Sequence, residues 1–207
     1  GNRAPAQYLL AINYAAGEYS VKGYHLLNTL IHLLTSIGVY FFAGMVLSSR
    51  SVKNEYILKN SGSIRLFSAL IFAVHPIQTE SVTYIVQRME SLSALFYFTA
   101  LIFYLMLRKE NKKGKRIVLA LIFLAVSVLA CLTKQTSYTL PLSVLLLEIY
   151  FVRDNEDRMN KILVGFISSV LLLLVFIGLA ADILPKDQMA ELSRYDYLIT
   201  QFKVIPN

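Results

Sequence analysis

His75-Pro76-Ile77-Gln78-Thr79-Glu80-Ser81-Val82-Thr83-Tyr84-Ile85-Val86-Gln87-Arg88-Met89-Glu90 sits between two apolar runs, Leu66–Val74 and Leu92–Leu107. Wound at about 100° per residue after Pro76, it puts Val82, Ile85, Val86 and Met89 on one face. Glu80, Tyr84, Gln87 and Arg88 share the other, with Thr83 and Glu90 at its edge. The spacing predicts an amphipathic helix lying in a membrane interface, apolar side down, joined to membrane-length segments. Its polar side carries a carboxylate and a guanidinium that can point into one cleft. A plain interfacial connector with solvated charges is the alternative.

Composition agrees with a membrane reading. Of 207 residues, 56% are hydrophobic and only 16% are charged. The charges cluster between apolar runs, which fits a polytopic membrane protein better than a soluble core. A net charge of +7 in a soluble domain would suggest nucleic acid. Here the bases sit mostly in short loops, so membrane topology explains them and no nucleic-acid partner is expected. Cys131 is the single cysteine, so no internal disulfide can form and the redox compartment is not readable. The chain opens on Gly1 and stops at Pro206-Asn207. We read residues 1–207 as one partial membrane domain, a piece of a longer protein.

Six spans are expected, at about 24–48, 64–76, 91–107, 117–133, 137–152 and 162–181, with five spans and one re-entrant element as the alternative. Crossing the hydrocarbon takes roughly 20 apolar residues. The 64–76 span falls short and is expected to continue through Pro76 as a kinked helix. The 137–152 span, with Pro141 near its start, is expected to be short, tilted or joined to its neighbour. Residues 7–16 suit a short surface-lying helix ended by Gly17. Most of the Lys and Arg residues fall in loops 49–65, 108–116 and 153–161, which makes that side cytoplasmic. Residues 1–23, 76–90, 134–136 and 182–207 then face the periplasm, lumen or exterior.

The first span carries a polar stripe: His25, Asn28, Thr29, His32, Thr35 and Ser36 share one helical face. Polar groups at membrane depth cost free energy unless they face protein or water. The stripe should line a cavity or make helix–helix hydrogen bonds. His25 and His32 lie about 10 Å apart along the axis, too far to share a metal, and none is expected. Lys134 ends the fourth span at a tight turn. It is placed to meet a phosphate at headgroup level or to snorkel. Arg194, Tyr197 and Gln201 lie on Ser193–Val204, which reads as another amphipathic surface helix. The outer side therefore presents Arg3, His75, Glu80, Arg88, Lys134 and Arg194, where topology predicts the fewest bases. That points to an anionic ligand. No Gly-rich phosphate loop, G-x-S-x-G, H-E-x-x-H or C-x-x-C occurs. Nor is there an internal repeat or a low-complexity tract.

Four segments together carry a family resemblance. They are Gly23-Tyr24-His25-Leu26-Leu27-Asn28 with His32; Ala73-Val74-His75-Pro76 through Thr79-Glu80 to Arg88-Met89-Glu90; Leu132-Thr133-Lys134-Gln135 through Thr139-Leu140-Pro141; and Ser193-Arg194-Tyr195 with Tyr197-Leu198 and Thr200-Gln201. The chain resembles the membrane part of the tetratricopeptide-repeat O-mannosyltransferase-like proteins. Those are glycosyltransferases of the GT-C class, dependent on polyprenyl-phosphate sugars. Two departures stand out: Arg3-Ala4-Pro5 where the family has an Arg-Pro step, and Gln135 where many members have Glu.

The resemblance implies an all-α, GT-C-like bundle in a bacterial inner membrane or the endoplasmic reticulum. It implies inverting transfer of a sugar, mannose or another hexose, from a polyprenyl-phosphate donor to a protein or glycan hydroxyl on the outer side. It implies no cofactor beyond that donor and no metal. Arg3, Arg88, Lys134 and Arg194 would bind the lipid phosphate and stabilise the leaving group. Glu80 would orient the acceptor or a base; His25, Asn28, His75 and Gln135 would shape the cleft. The class's catalytic Asp would precede residue 1, so the catalytic residue is not named and the chain alone would be inactive. A transporter or flippase of lipid-linked glycans, or a non-catalytic assembly module, remain the alternatives.

Overall fold

The computed structural model describes residues 3–49 and 51–152, and these are helical and free of strands. Eight α-helices follow one another: α1 (Ala4–Gly17), α2 (Val21–Leu47), α3 (Glu55–Lys59), α4 (Ser61–Val74), α5 (Thr79–Thr83), α6 (Arg88–Lys109), α7 (Lys113–Thr133) and α8 (Leu140–Leu147). Short 3₁₀ turns at Pro76–Gln78, Ile85–Gln87 and Gln135–Thr139 join them, and a π turn, Glu148–Val152, follows α8. The expected 162–181 span lies outside the described residues.

Among the described residues, three segments are long and apolar enough to cross a membrane: Val21–Leu47, Ile85–Lys109 and Lys113–Thr133. α6 packs against both α2 and α7, and α4 packs on α2. α4 runs antiparallel to α2, with Ala73 beside His32 and Arg65 beside Tyr40, and α6 runs parallel to α2. Lys109 near the end of α6 donates to the Met45 carbonyl (3.3 Å) and the Ser48 hydroxyl (2.6 Å) at the end of α2. At the opposite end, the start of α6 meets the start of α2 through Arg88 and Asn28. The Ser49 hydroxyl donates to the Phe151 carbonyl at 2.7 Å, so the π turn belongs to the basic-loop end.

The side-chain distribution is inverted relative to a water-soluble bundle. Leu26, Phe67, Ile71, Ile117 and Leu121 are exposed, while Asn28, Thr35, Arg88, Ser127, Thr133 and Ser137 are buried. In water such an apolar surface would aggregate; against lipid tails it costs nothing, and the polar groups must turn inward. They do so in pairs. Ser93 and Ser137 hydroxyls meet at 2.7 Å, and the Tyr97 hydroxyl reaches Ser143 at 2.6 Å. Arg65 lies over the Tyr40 ring, 5.0 Å from its centroid. Gly44 makes room for it, since a Cβ there would come within 2.6 Å of the Arg65 Cδ.

Two expectations need correction. The 64–76 span does not pass through Pro76. α4 stops at Val74 and His75 is extended (φ −65°, ψ 128°), because a residue before proline is pushed out of the α region. At 14 residues it rises only about 21 Å, short of a full crossing. The amphipathic stretch 76–90 is not one helix. It breaks at Tyr84 (φ −80°, ψ 123°), and Arg88 opens the long helix α6 instead of lying on an exposed polar face. The 137–152 element is short, as its Pro141 suggested: it comprises most of a 3₁₀ turn, α8 and a π turn, with Pro141 in the first turn of α8, where its missing N–H costs nothing. The surface helix forms as α1. It ends on Gly17, but the left-handed residue is Glu18 (φ 47°), whose N–H closes on the Tyr14 carbonyl at 2.7 Å.

Candidate functional site

The break at Tyr84 has a cause in the first long helix. Asn28, fully buried on α2, donates from Nδ2 to the carbonyls of Val82 (3.2 Å) and Tyr84 (3.3 Å). The Tyr84 carbonyl also accepts the Gln87 N–H at 3.1 Å in the turn that follows, so the amide holds the chain where the helix breaks. The Oδ1 of the same amide accepts from Arg88 Nε at 2.7 Å. Arg88 also donates to the backbone carbonyls of Leu9 (3.3 Å) and Tyr24 (3.2 Å). Its guanidinium carbon lies 5.7 Å from the centre of the Tyr24 ring. Arg88 thus ties together α1, α2 and the start of α6. It is wholly buried, and each of its three nitrogens donates to an acceptor of the protein itself.

The rest of the polar stripe divides. His32 is buried, with Nε2 2.9 Å from the Ala73 carbonyl, and its ring stacks on Phe72. The hydroxyls of Thr35 and Ser36 donate back to the carbonyls of Ile31 (2.8 Å) and His32 (2.9 Å) in their own helix, as Ser and Thr commonly do in helices. His25 and Thr29 are exposed. His25 sits one turn nearer the start of α2 than Asn28, outside the packed part of that face.

A cleft of about 460 Å³ opens between α2, α4 and residues 77–94. Its polar walls come from His32, Gln78, Glu80, Gln87, Glu90 and Ser91, and Phe72 and Ile77 add an apolar side. The Ser91 hydroxyl donates to the Ser81 carbonyl at 3.0 Å and closes its floor. Glu80 also borders a second hollow with Pro76, Thr83 and Tyr84. His75 is exposed and acts locally, its Nδ1 accepting from the Ile77 N–H at 3.2 Å. Gln135 is exposed on the 3₁₀ turn after Lys134. Among the described residues no three His, Cys, Asp or Glu side chains gather as a metal site would need.

Lys134, the residue after α7, reaches one of the lining residues of this cleft. Its ammonium pairs with the carboxylate of Glu90. Burial, and secondarily the positive charge of Arg3, push its pKa down, while the ion pair works the other way. Arg3, itself exposed, thus shares a neighbourhood with Lys134 across almost the whole described chain. Of the expected cations, the structure brings Arg3 and Lys134 together. It puts Arg88 into the packing beneath them, and Arg194 lies outside the described residues. Glu90 is the residue that sequence reasoning passed over. Its signal was the Arg88-Met89-Glu90 step, which sends the two charges in different directions once α6 begins.

With that geometry in place, comparison with known proteins is informative. A mouse protein O-mannosyl-transferase, TMTC3, is 37% identical over 93 residues, covering 45% of this chain and 9% of its own length. The fruit-fly protein O-mannosyl-transferase Tmtc1 is 31% identical over 151 residues, 71% of this chain and 16% of the fly protein. The nematode protein O-mannosyl-transferase F38B6.6 is 27% identical over 186 residues, 89% of this chain and 23% of its own. The chain is similar to the TMTC protein O-mannosyl-transferases. The resemblance read from the four sequence segments is thereby borne out. The matches span between 9% and 23% of the length of these three relatives. No family model matches the chain, and no solved structure does.

Proposed function

We propose that this chain is part of a multi-pass membrane glycosyltransferase. It moves a hexose, mannose in the first instance, from a polyprenyl-phosphate donor to a protein or glycan hydroxyl, with inversion, on the periplasmic or luminal side. The observation that carries the reading is Lys134, whose ammonium pairs with Glu90 in the wall of a polar cleft at the bundle end opposite the basic loops, with the charge of Arg3 acting on it. The names of the relatives support sugar transfer. A membrane-embedded phosphate needs a cation at headgroup depth, and a partly buried ammonium beside a second cation supplies one. Charge that develops on the departing phosphate is stabilised by the same groups.

The test uses the full-length protein with radiolabelled polyprenyl-phosphate mannose. Lys134→Gln is expected to lower transfer roughly tenfold or more, as loss of a charge-assisted contact does. Arg3→Gln should lower it less, and neither should change the denaturation midpoint. Undiminished transfer in both variants would sink the phosphate assignment. A second reading has its own support: the broken helical segments 76–87 and 135–139 resemble what transporters use around a substrate. Movement of lipid-linked glycan across a vesicle without label reaching any acceptor would favour it.

A further inference from the structure

We propose that the cleft between α2, α4 and the Pro76–Ser91 segment is a polyhydroxyl site for the hexose, with the carboxylates of Glu80 and Glu90 as its principal acceptors. This rests on the donor reading above and adds where the sugar goes and what holds it.

Charge argues for the division. Among the described residues, Glu80 and Glu90 are the charged side chains lining the cleft. Two carboxylates repel a phosphate, so the anion belongs outside, on Lys134 and Arg3, and a neutral group belongs inside. The remaining lining suits a sugar. Carboxylates accept from adjacent hydroxyls, and the amides of Gln78 and Gln87 both donate and accept. His32 places Nε2 2.9 Å from the Ala73 carbonyl, which leaves Nδ1 for a sugar hydroxyl. Phe72, backed by the stacked His32 ring, offers an apolar wall for the C–H face of a pyranose. The volume, about 460 Å³, lies within the span of small-ligand clefts, roughly 300–1,000 Å³.

Glu90 joins the two halves. It lines the cleft and holds Lys134. A phosphate arriving at Lys134 competes for the ammonium, and the Glu90 carboxylate released from it turns to the sugar hydroxyls. The sugar-bearing lipid therefore gains contacts that the bare lipid phosphate lacks.

The experiment measures equilibrium binding of radiolabelled polyprenyl phosphate and of polyprenyl-phosphate mannose to the full-length protein in nanodiscs. The native protein should bind the sugar-bearing lipid more tightly. Glu80→Gln, at an exposed position, should cut that affinity about tenfold and leave the bare lipid unchanged, the loss expected for one charge-assisted contact. Lys134→Gln should weaken both lipids. Should Glu80→Gln prove misfolded by its melting curve, Gln78→Ala is read in its place. Equal affinity of the native protein for both lipids overturns the sugar site and leaves the donor reading standing, as does a preference that survives substitution. Binding of neither lipid overturns both.

Discussion

Glu148→Ala is expected to destabilise the bundle by about 3–5 kcal/mol, the cost of leaving a buried charge without its partner. Arg108 presents Nε to Glu148 Oε2 at 3.0 Å and Nη2 to Oε1 at 2.6 Å, a two-pronged pair. The Arg108 side chain is only 4% exposed and that of Glu148 14%. Tyr104, wholly buried, donates its hydroxyl to Oε2 at 2.6 Å. One carboxylate therefore satisfies two side chains of α6 and anchors the π turn to them. Removing it strands a guanidinium and a phenol in the packing. The check is the denaturation midpoint in detergent, with far-ultraviolet circular dichroism for helix content. Arg108→Met with Glu148→Leu should recover most of the loss, because no ion is left to desolvate. A single variant that melts with the native protein would mean that water already reaches Arg108.

That pair also shows what could and could not be read in advance. Periodicity and apolar length marked where helices lie, because each run must satisfy its own backbone and turn its apolar side to lipid. α2, α6 and α7 follow the expected spans within a few residues. Glu148 was passed over, although a lone acid inside the apolar run 137–152 needs a partner. Which base would meet it was not legible, since Arg108 reads equally well as one of the six bases in the loop that orients the chain. The break at Tyr84 was hidden for a different reason. Helical spacing scores a segment against itself, and the break is held by an amide 54 and 56 residues away that donates to the carbonyls of Val82 and Tyr84. Likewise Lys134 was placed correctly at a turn, but its neighbours Glu90 and Arg3 come from two other parts of the chain. Their closeness is a product of α1, α6 and α7 packing, which no local pattern encodes.

Arg88→Ala carries the other large expected effect, and its direction separates two roles. A guanidinium that reaches a lipid phosphate would, when removed, lower donor binding and leave the fold intact. The observed side chain is fully buried and engages Asn28, the Leu9 carbonyl and the Tyr24 carbonyl. Its loss should therefore cost about 2–4 kcal/mol, from three hydrogen bonds at about 1 kcal/mol each and a ring contact of similar size. α1 should loosen first, since Leu9 is held to α6 through this residue. Arg88→Lys should not restore stability, because one ammonium cannot span acceptors that a planar fork reaches together. Asn28→Ala should be non-additive with it by more than about 0.5 kcal/mol, as the two share one bond. Denaturation midpoints of the four variants, with hydrogen exchange at residues 82–88, read all of this. Native stability in Arg88→Ala, with donor binding alone reduced, would return this cation to the ligand and mean that the lacing of α1, α2 and α6 depends on other contacts.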